Sequence, residues 1–218
     1  MSIYAIGDIH GCNKELKQLL TMIQYAPDDI FVFLGDYIDR GPESAQVIDT
    51  LIEFRDTIDN ECYFLRGNHE DMYRDSSMVK VWKANGGLAT IESYKNYTRC
   101  STYRHKEFYS NLISHVVIDE YCFVHAGLAP NISIDDNTTD DMLWIRGEFI
   151  LSDYDWGKRI VFGHTPTYYP IIQPNKIGID TGCYKTGRLT AVKLPELEFI
   201  TTENTKYSKI RGIIWVTV

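Results

Sequence analysis

The chain has 218 residues, with 30 acidic and 22 basic side chains and a formal net charge of −8. That length suits one domain, read as residues 1–218, and 44% hydrophobic with 24% charged residues excludes a disordered or low-complexity chain. No apolar run approaches the roughly 18 residues of a membrane span, the N-terminus lacks a signal-peptide pattern, five scattered cysteines without a CxxC pair point to a reducing cytoplasm, and the negative charge argues against a nucleic-acid partner.

Ile3 to Ile6 is a short apolar run stopped by Gly-Asp and reads as a buried strand. Leu16, Leu19, Leu20 and Ile23 then share one helical face. Ile30 to Leu34 is a second strand, again stopped by Gly-Asp. Pro42 and Glu43 open a helix carrying Val47, Ile48, Leu51 and Ile52 on one stripe. Cys62 to Leu65 is a third strand. This alternation predicts parallel βαβ units. From about Asp71 to Glu107 the pattern reads as helices and loop, with a turn at Asn85-Gly86-Gly87. Strands return at Val116–Ile118, Cys122–Val124, Ile160–Phe162 and Lys176–Ile179, and the tail from Leu189 alternates strand-like runs with turns as far as Ile213–Val216.

Five polar segments follow apolar runs: Gly7-Asp8-Ile9-His10-Gly11, Gly35-Asp36-Tyr37-Ile38-Asp39-Arg40-Gly41, Gly67-Asn68-His69-Glu70, His125-Ala126-Gly127 and Gly163-His164-Thr165. They contain four of the six histidines. Strand carboxyl ends line one edge of a parallel sheet, so the five can converge there. Asp, Asn and His together suit Mn²⁺, Fe²⁺ or Zn²⁺. Six such ligands are too many for one tetrahedral zinc and suit two divalent ions sharing a carboxylate. Singly, each segment has an ordinary reading: Gly-Asp is a common turn, Asp39-Arg40 a surface ion pair, His125 a satisfied strand-end histidine, and His164-Thr165 a cap. Jointly these readings fail. His105 and His115 fall outside the segments and are read as surface or packing residues. The cysteines are read as core, and so are most tryptophans, with Trp144 placed to shape the site beside Arg146. Asn85-Gly86-Gly87 is read as a plain turn.

The segments GDIHG, GDYIDRG, GNHE, HAG and GHT resemble those of the phosphoprotein phosphatase family of metallophosphoesterases, in its compact bacterial and bacteriophage lambda phosphatase branch. The first two motifs are 23 residues apart and the next pair 25, similar to the family's spacing. The resemblance implies an α/β fold with a central β-sandwich flanked by helices and a dimetal site at strand ends. It implies one metal on Asp8, His10 and the bridging Asp36, and another on Asp36, Asn68, His125 and His164. It makes His69 a general acid oriented by Asp39, and Arg40, Arg146 and Asn68 phosphate-binding residues.

Such a site directs a hydroxide shared by the two metals, most readily Mn²⁺, against a phosphomonoester, with His69 protonating the leaving alkoxide for roughly 10²–10⁴-fold. The expected activity is a serine/threonine protein phosphatase with a phosphoprotein or phosphopeptide substrate, extending to phosphotyrosine. The alternatives are a hydrolase of diadenosine tetraphosphate or other phosphodiesters, and an inactive metal-binding scaffold. Symmetrical diadenosine tetraphosphate hydrolases share GDIHG but lack the Asp of the DRG segment, so Asp39 favours the phosphomonoester side.

Overall fold

The computed structural model describes residues 1–99 and 102–202. Cys100, Trp215 and the expected strand at Ile213–Val216 lie outside them.

The first half follows the expected alternation: β1 (Ile3–Ile6), α1 (Asn13–Met22), β2 (Ile30–Phe33), α2 (Ser44–Thr57) and β3 (Cys62–Phe64). The three strands pair in parallel, Ile3 opposite Ile30 and Phe31 opposite Cys62. A helical stretch follows, with α3 (Asn68–Arg74), α4 (Val79–Trp82), α5 (Leu88–Asn96) and α6 (Thr102–Ser110). Then come β4 (His115–Ile118), β5 (Tyr121–Val124), α7 (Thr139–Trp144), α8 (Gly147–Ile150), β6 (Arg159–Phe162), β7 (Ile171–Ile172), β8 (Lys176–Gly178), α9 (Cys183–Thr186), β9 (Thr190–Leu194) and β10 (Glu198–Thr201).

The strands make two sheets. One has the order β10-β9-β1-β2-β3, the other β4-β5-β6-β8-β7. In each, three neighbouring strands are parallel (β1, β2 and β3; β5, β6 and β8), and antiparallel strands complete the edges. The sequence reading had one parallel edge for all five polar segments. The structure divides them between two sheets, because the β4–β5 hairpin starts a second sheet and β9 returns antiparallel to β1.

Strand alternation explains the layers. In β1, Ile3 and Ala5 point to the other sheet, while Tyr4 and Ile6 point to helices. Between the sheets Val32, Leu65 and Val192 meet Phe123, Val161 and Ile177, all fully buried. Outside the first sheet, Phe31 and Phe33 pack with Leu16, Leu19, Val47 and Leu51 of the flanking helices. Outside the second, Phe162 and Val124 pack with Met142, Phe149 and Trp156. Both faces of each central strand are dry, so these strands read as unbroken apolar runs. Each large side chain so buried contributes roughly 1.5–3 kcal/mol. The result is helix, sheet, sheet, helix, the β-sandwich flanked by helices that the resemblance implied.

Candidate functional site

The loops after β1, β2 and β3 and those after β5 and β6 meet at one end of the sandwich. Five residues there adopt positive φ without being glycine: His10 (47°), Asp36 (52°), Asp39 (73°), Arg40 (67°) and His164 (60°). This left-handed backbone turns each side chain back into the cleft at a steric cost. Gly163 permits the closest approach: a Cβ there would lie 2.0 Å from the Asp8 carboxylate, and one on Gly67 would lie 2.2 Å from that of Asp36.

The centre is Asp36. Its Oδ2 is 3.4 Å from His10 Nε2, and its Oδ1 is 3.5 Å from His125 Nε2. Burial pushes the His10 imidazole down to about 3 and His164 to about 2, and lowers His125, so all three are neutral at pH 7. Backbone carbonyls set the tautomers of His10 and His125. His10 Nδ1 lies 2.9 Å from Ile38 O, and His125 Nδ1 lies 2.8 Å from Leu34 O. Each Nδ1 must therefore donate, which leaves both Nε2 atoms without a proton and able to accept. His125 Nε2 then faces Asn68 Oδ1 at 3.0 Å and Asp36 Oδ1 at 3.5 Å, acceptor against acceptor. A cation reconciles such a set. Backbone carbonyls fixing ligand histidines in this way is a usual support of metal sites. Two donor groups in this cleft can each hold an ion, His10, Asp36 and His69, and Asp36, His125 and His164, with Asp36 shared and with His69 in the place that the resemblance gave to Asp8; a third, Cys12, Glu15 and Cys183, lies outside the five segments' ligand set.

Carboxylates crowd the same place. Burial, then Asp180 and Asp36, raise the Asp8 carboxyl well above its usual range, although its oxygens accept from the His164 N–H at 3.0 and 3.1 Å. Burial raises Asp180 to about 6. Burial would also raise Asp36, but His125, His69, His10 and His164 hold it below the carboxylate range. Buried like charges of this kind favour a divalent cation among them.

His69 stands one step aside. Its Nδ1 donates to Asp39 Oδ2 at 2.7 Å, and its Nε2 is 3.9 Å from Asp36. Asp39 is fully buried, and it also accepts from Trp82 Nε1 at 2.8 Å and Thr90 Oγ1 at 2.6 Å. Trp82 and Thr90 were invisible as functional residues in the sequence. Glu70, in the GNHE segment, does not face the cleft. Its carboxylate receives the backbone N–H groups of Asp36, Tyr37, Ile38 and Gly67 at 2.8–3.3 Å, clamping the β2 loop to α3.

One guanidinium flanks each donor group. Arg40 Nη1 donates to His10 Nε2 at 2.7 Å, and its guanidinium lies 4.8 Å over the Tyr184 ring. Arg146 Nε donates to His164 Nε2 at 3.1 Å. Asn85-Gly86-Gly87 is more than a plain turn: Gly86, at φ +109°, accepts the Arg40 N–H through its carbonyl, and a Cβ there would lie 2.9 Å from Arg40 N. His105 is a packing residue, buried between Asp49 and Tyr94. Cys12, Cys122 and Cys183 are buried and Cys62 is half-buried, close to the core reading. Trp82 and Trp156 are core, whereas Trp144 is 40% exposed at the cleft edge. Every predicted site residue thus reaches the cleft, while Asp180, Tyr184, Gly86, Trp82 and Thr90 are additions. Asp180 follows an apolar run as Asp8 and Asp36 do, and the same strand-end rule would have found it.

Comparison with known proteins places this geometry. A model of the calcineurin-like phosphoesterases matches residues 1–199. The chain belongs to the calcineurin-like phosphoesterase family. Members of this family use a dinuclear divalent metal centre, and the donor groups around Asp36 fit one. The chain is 33% identical over 230 residues to the asymmetrical bis(5'-nucleosyl)-tetraphosphatase PrpE of Oceanobacillus iheyensis, covering 92% of this chain and 91% of that one. A solved structure provisionally designated a diadenosine tetraphosphatase superposes with a TM-score of 0.72 at 24% identity, over 92% of both chains. A Saccharomyces cerevisiae serine/threonine phosphatase structure gives 0.63 at 17%, over 97% of this chain and 82% of its own, and shares the fold. Two of these relatives are named for the hydrolysis of dinucleotides, which was the alternative expectation, and one for protein phosphatase activity, which was the main one. Among the described residues no helix is long and apolar enough to cross a membrane.

Proposed function

We propose that this chain is a metal-dependent hydrolase of dinucleoside tetraphosphates, adding water across one P–O–P bond to give a nucleoside triphosphate and a nucleoside monophosphate. The observation that carries this reading is the end-to-end likeness to the asymmetrical tetraphosphatase of Oceanobacillus iheyensis, 33% identical over nine-tenths of both chains. The site agrees with it. Arg40 stands beside His10 and Arg146 beside His164, so a chain of phosphates laid across Asp36 meets a guanidinium on either side. Guanidinium groups grip phosphate oxygens with paired, charge-assisted hydrogen bonds.

In this reading Asp8, His10 and Asp36 hold one divalent cation, and Asp36, Asn68, His125 and His164 the other. When bound, the two ions neutralise phosphate charge and bring the pKa of a water toward about 7. The remaining work belongs to the chain. Arg40 and Arg146 fix the phosphates. Asn68, at the first position of α3, presents its side chain between His125 and His164. His69, held by Asp39 at 2.7 Å, delivers a proton to the departing oxygen.

That last pair also supports a second reading, a serine/threonine phosphatase. A serine alkoxide needs a proton far more than a nucleotide phosphate does, and the His69–Asp39 pair supplies one. Rates measured side by side with Mn²⁺ on diadenosine tetraphosphate and on a phosphoserine peptide decide between them. The first reading expects the dinucleotide to be the better substrate by kcat/KM, with ATP and AMP as products. A faster peptide, or two molecules of ADP, would overturn it.

A further inference from the structure

Trp144 closes α7, and Arg146 follows it by two residues. Its indole stands edge-on to the His164 ring, 6.3 Å between centroids, and remains 40% exposed. A tryptophan carries a large apolar surface, and a buried one finds a partner for its N–H. The other two described tryptophans follow that rule: Trp82 donates to Asp39 and Trp156 to the Ala129 carbonyl, and both are over 90% buried. Among the described residues Trp144 is only partly covered and has no N–H acceptor. It lines a shallow, open hollow of about 420 Å³ shared by Arg146 and by Asp140, Asp141 and Glu148.

The charges sort what can occupy this hollow. Phosphate is drawn to Arg146 and repelled by the acidic wall. A neutral, flat ring bearing an exocyclic amino group suits the rest, stacking on the indole and donating to a carboxylate. On the other half of the site a second hollow of about 320 Å³ is lined by Tyr184, whose ring is already engaged. Tyr184 lies against Arg40 and His10, and Tyr168 lies under Arg188 at 3.9 Å. We infer that Trp144 is a stacking platform for one nucleobase of the substrate, beside the phosphates held by Arg146. This rests on the dinucleotide reading above and adds the subsite that fixes one nucleoside.

The test is calorimetric binding of AMP and of inorganic phosphate to the Mn²⁺-loaded parent and to Trp144→Ala, Trp144→Leu and Trp144→Phe. Base-on-aromatic stacking predicts that Trp144→Ala weakens AMP about 5- to 150-fold. Phosphate should weaken by a several-fold smaller factor. Trp144→Phe should recover most of the AMP affinity, whereas Trp144→Leu, apolar but without a π-face, should resemble Trp144→Ala. Unchanged AMP affinity in Trp144→Ala overturns the inference. So does equal weakening of AMP and phosphate, or a leucine variant as good as phenylalanine. AMP binding is read without turnover, so failure of the dinucleotide reading, seen as no hydrolysis of diadenosine tetraphosphate by the parent, is a separate result.

Discussion

Trp82→Phe tests the chain that orients the acid. Three donors converge on the buried Asp39 carboxylate: His69 Nδ1, Trp82 Nε1 and Thr90 Oγ1. Phenylalanine keeps most of the apolar packing and deletes one donor. A hydrogen bond to a charged group contributes about 1.5–3 kcal/mol, so full transmission to the transition state would cost roughly 10- to 150-fold in kcat. Metal content should stay at the parent's value, since Trp82 touches no donor of the Asp36 groups. The loss should follow the leaving group, largest on phosphoserine peptide and smaller on diadenosine tetraphosphate and p-nitrophenyl phosphate. His69→Asn should show the same order with a deeper loss of about 10²–10⁴-fold on the peptide. The assay is a set of kcat values on the three substrates, with metal analysis of each variant. A double-mutant cycle isolates the route: in an Asp39→Asn background, Trp82→Phe should cost little more, because its partner is already gone. Additive losses, or a loss equal on all three substrates, would refute the proposed orienting chain.

Asp36→Asn should lower metal content below two per chain and damage catalysis more than substitution at any other proposed ligand, as measured by metal analysis and kcat/KM. Gly86→Ala forces a Cβ to within 2.9 Å of Arg40 N at φ +109°, and it should raise KM for the dinucleotide while costing about 1–2 kcal/mol of stability, read by thermal melting. Chelation should abolish hydrolysis and Mn²⁺ should restore it. Full activity with no bound metal would contradict the assigned ligands.

Much of the first sheet was legible because its strands are dry on both faces and end abruptly in Gly-Asp. The motif residues were legible because chemistry concentrates them in short segments. The division into two sheets was not, since β9 pairs with β1 across nearly the whole chain, and no local pattern encodes a pairing so distant. Trp82 and Thr90 lie 43 and 51 residues from Asp39, in a stretch without clear periodicity. Nothing nearby distinguishes them from ordinary helix residues. Glu70 was visible as part of a motif, but its task of collecting backbone N–H groups is a property of the folded loop. The short elements α7, α8, α9 and β7 are too brief to show a period.

The left-handed residues around Asp36 set a direction for inheritance. His10, Asp36, Asp39, Arg40 and His164 hold a backbone shape that glycine adopts freely, at a cost of roughly 1–2 kcal/mol each. Their sum is a sizeable share of the 5–15 kcal/mol that keeps an ordinary domain folded. In a gene copy released from catalysis, glycine at these positions would relieve that backbone strain. Glycines there in a descendant would therefore signal abandoned chemistry even where the sandwich is intact.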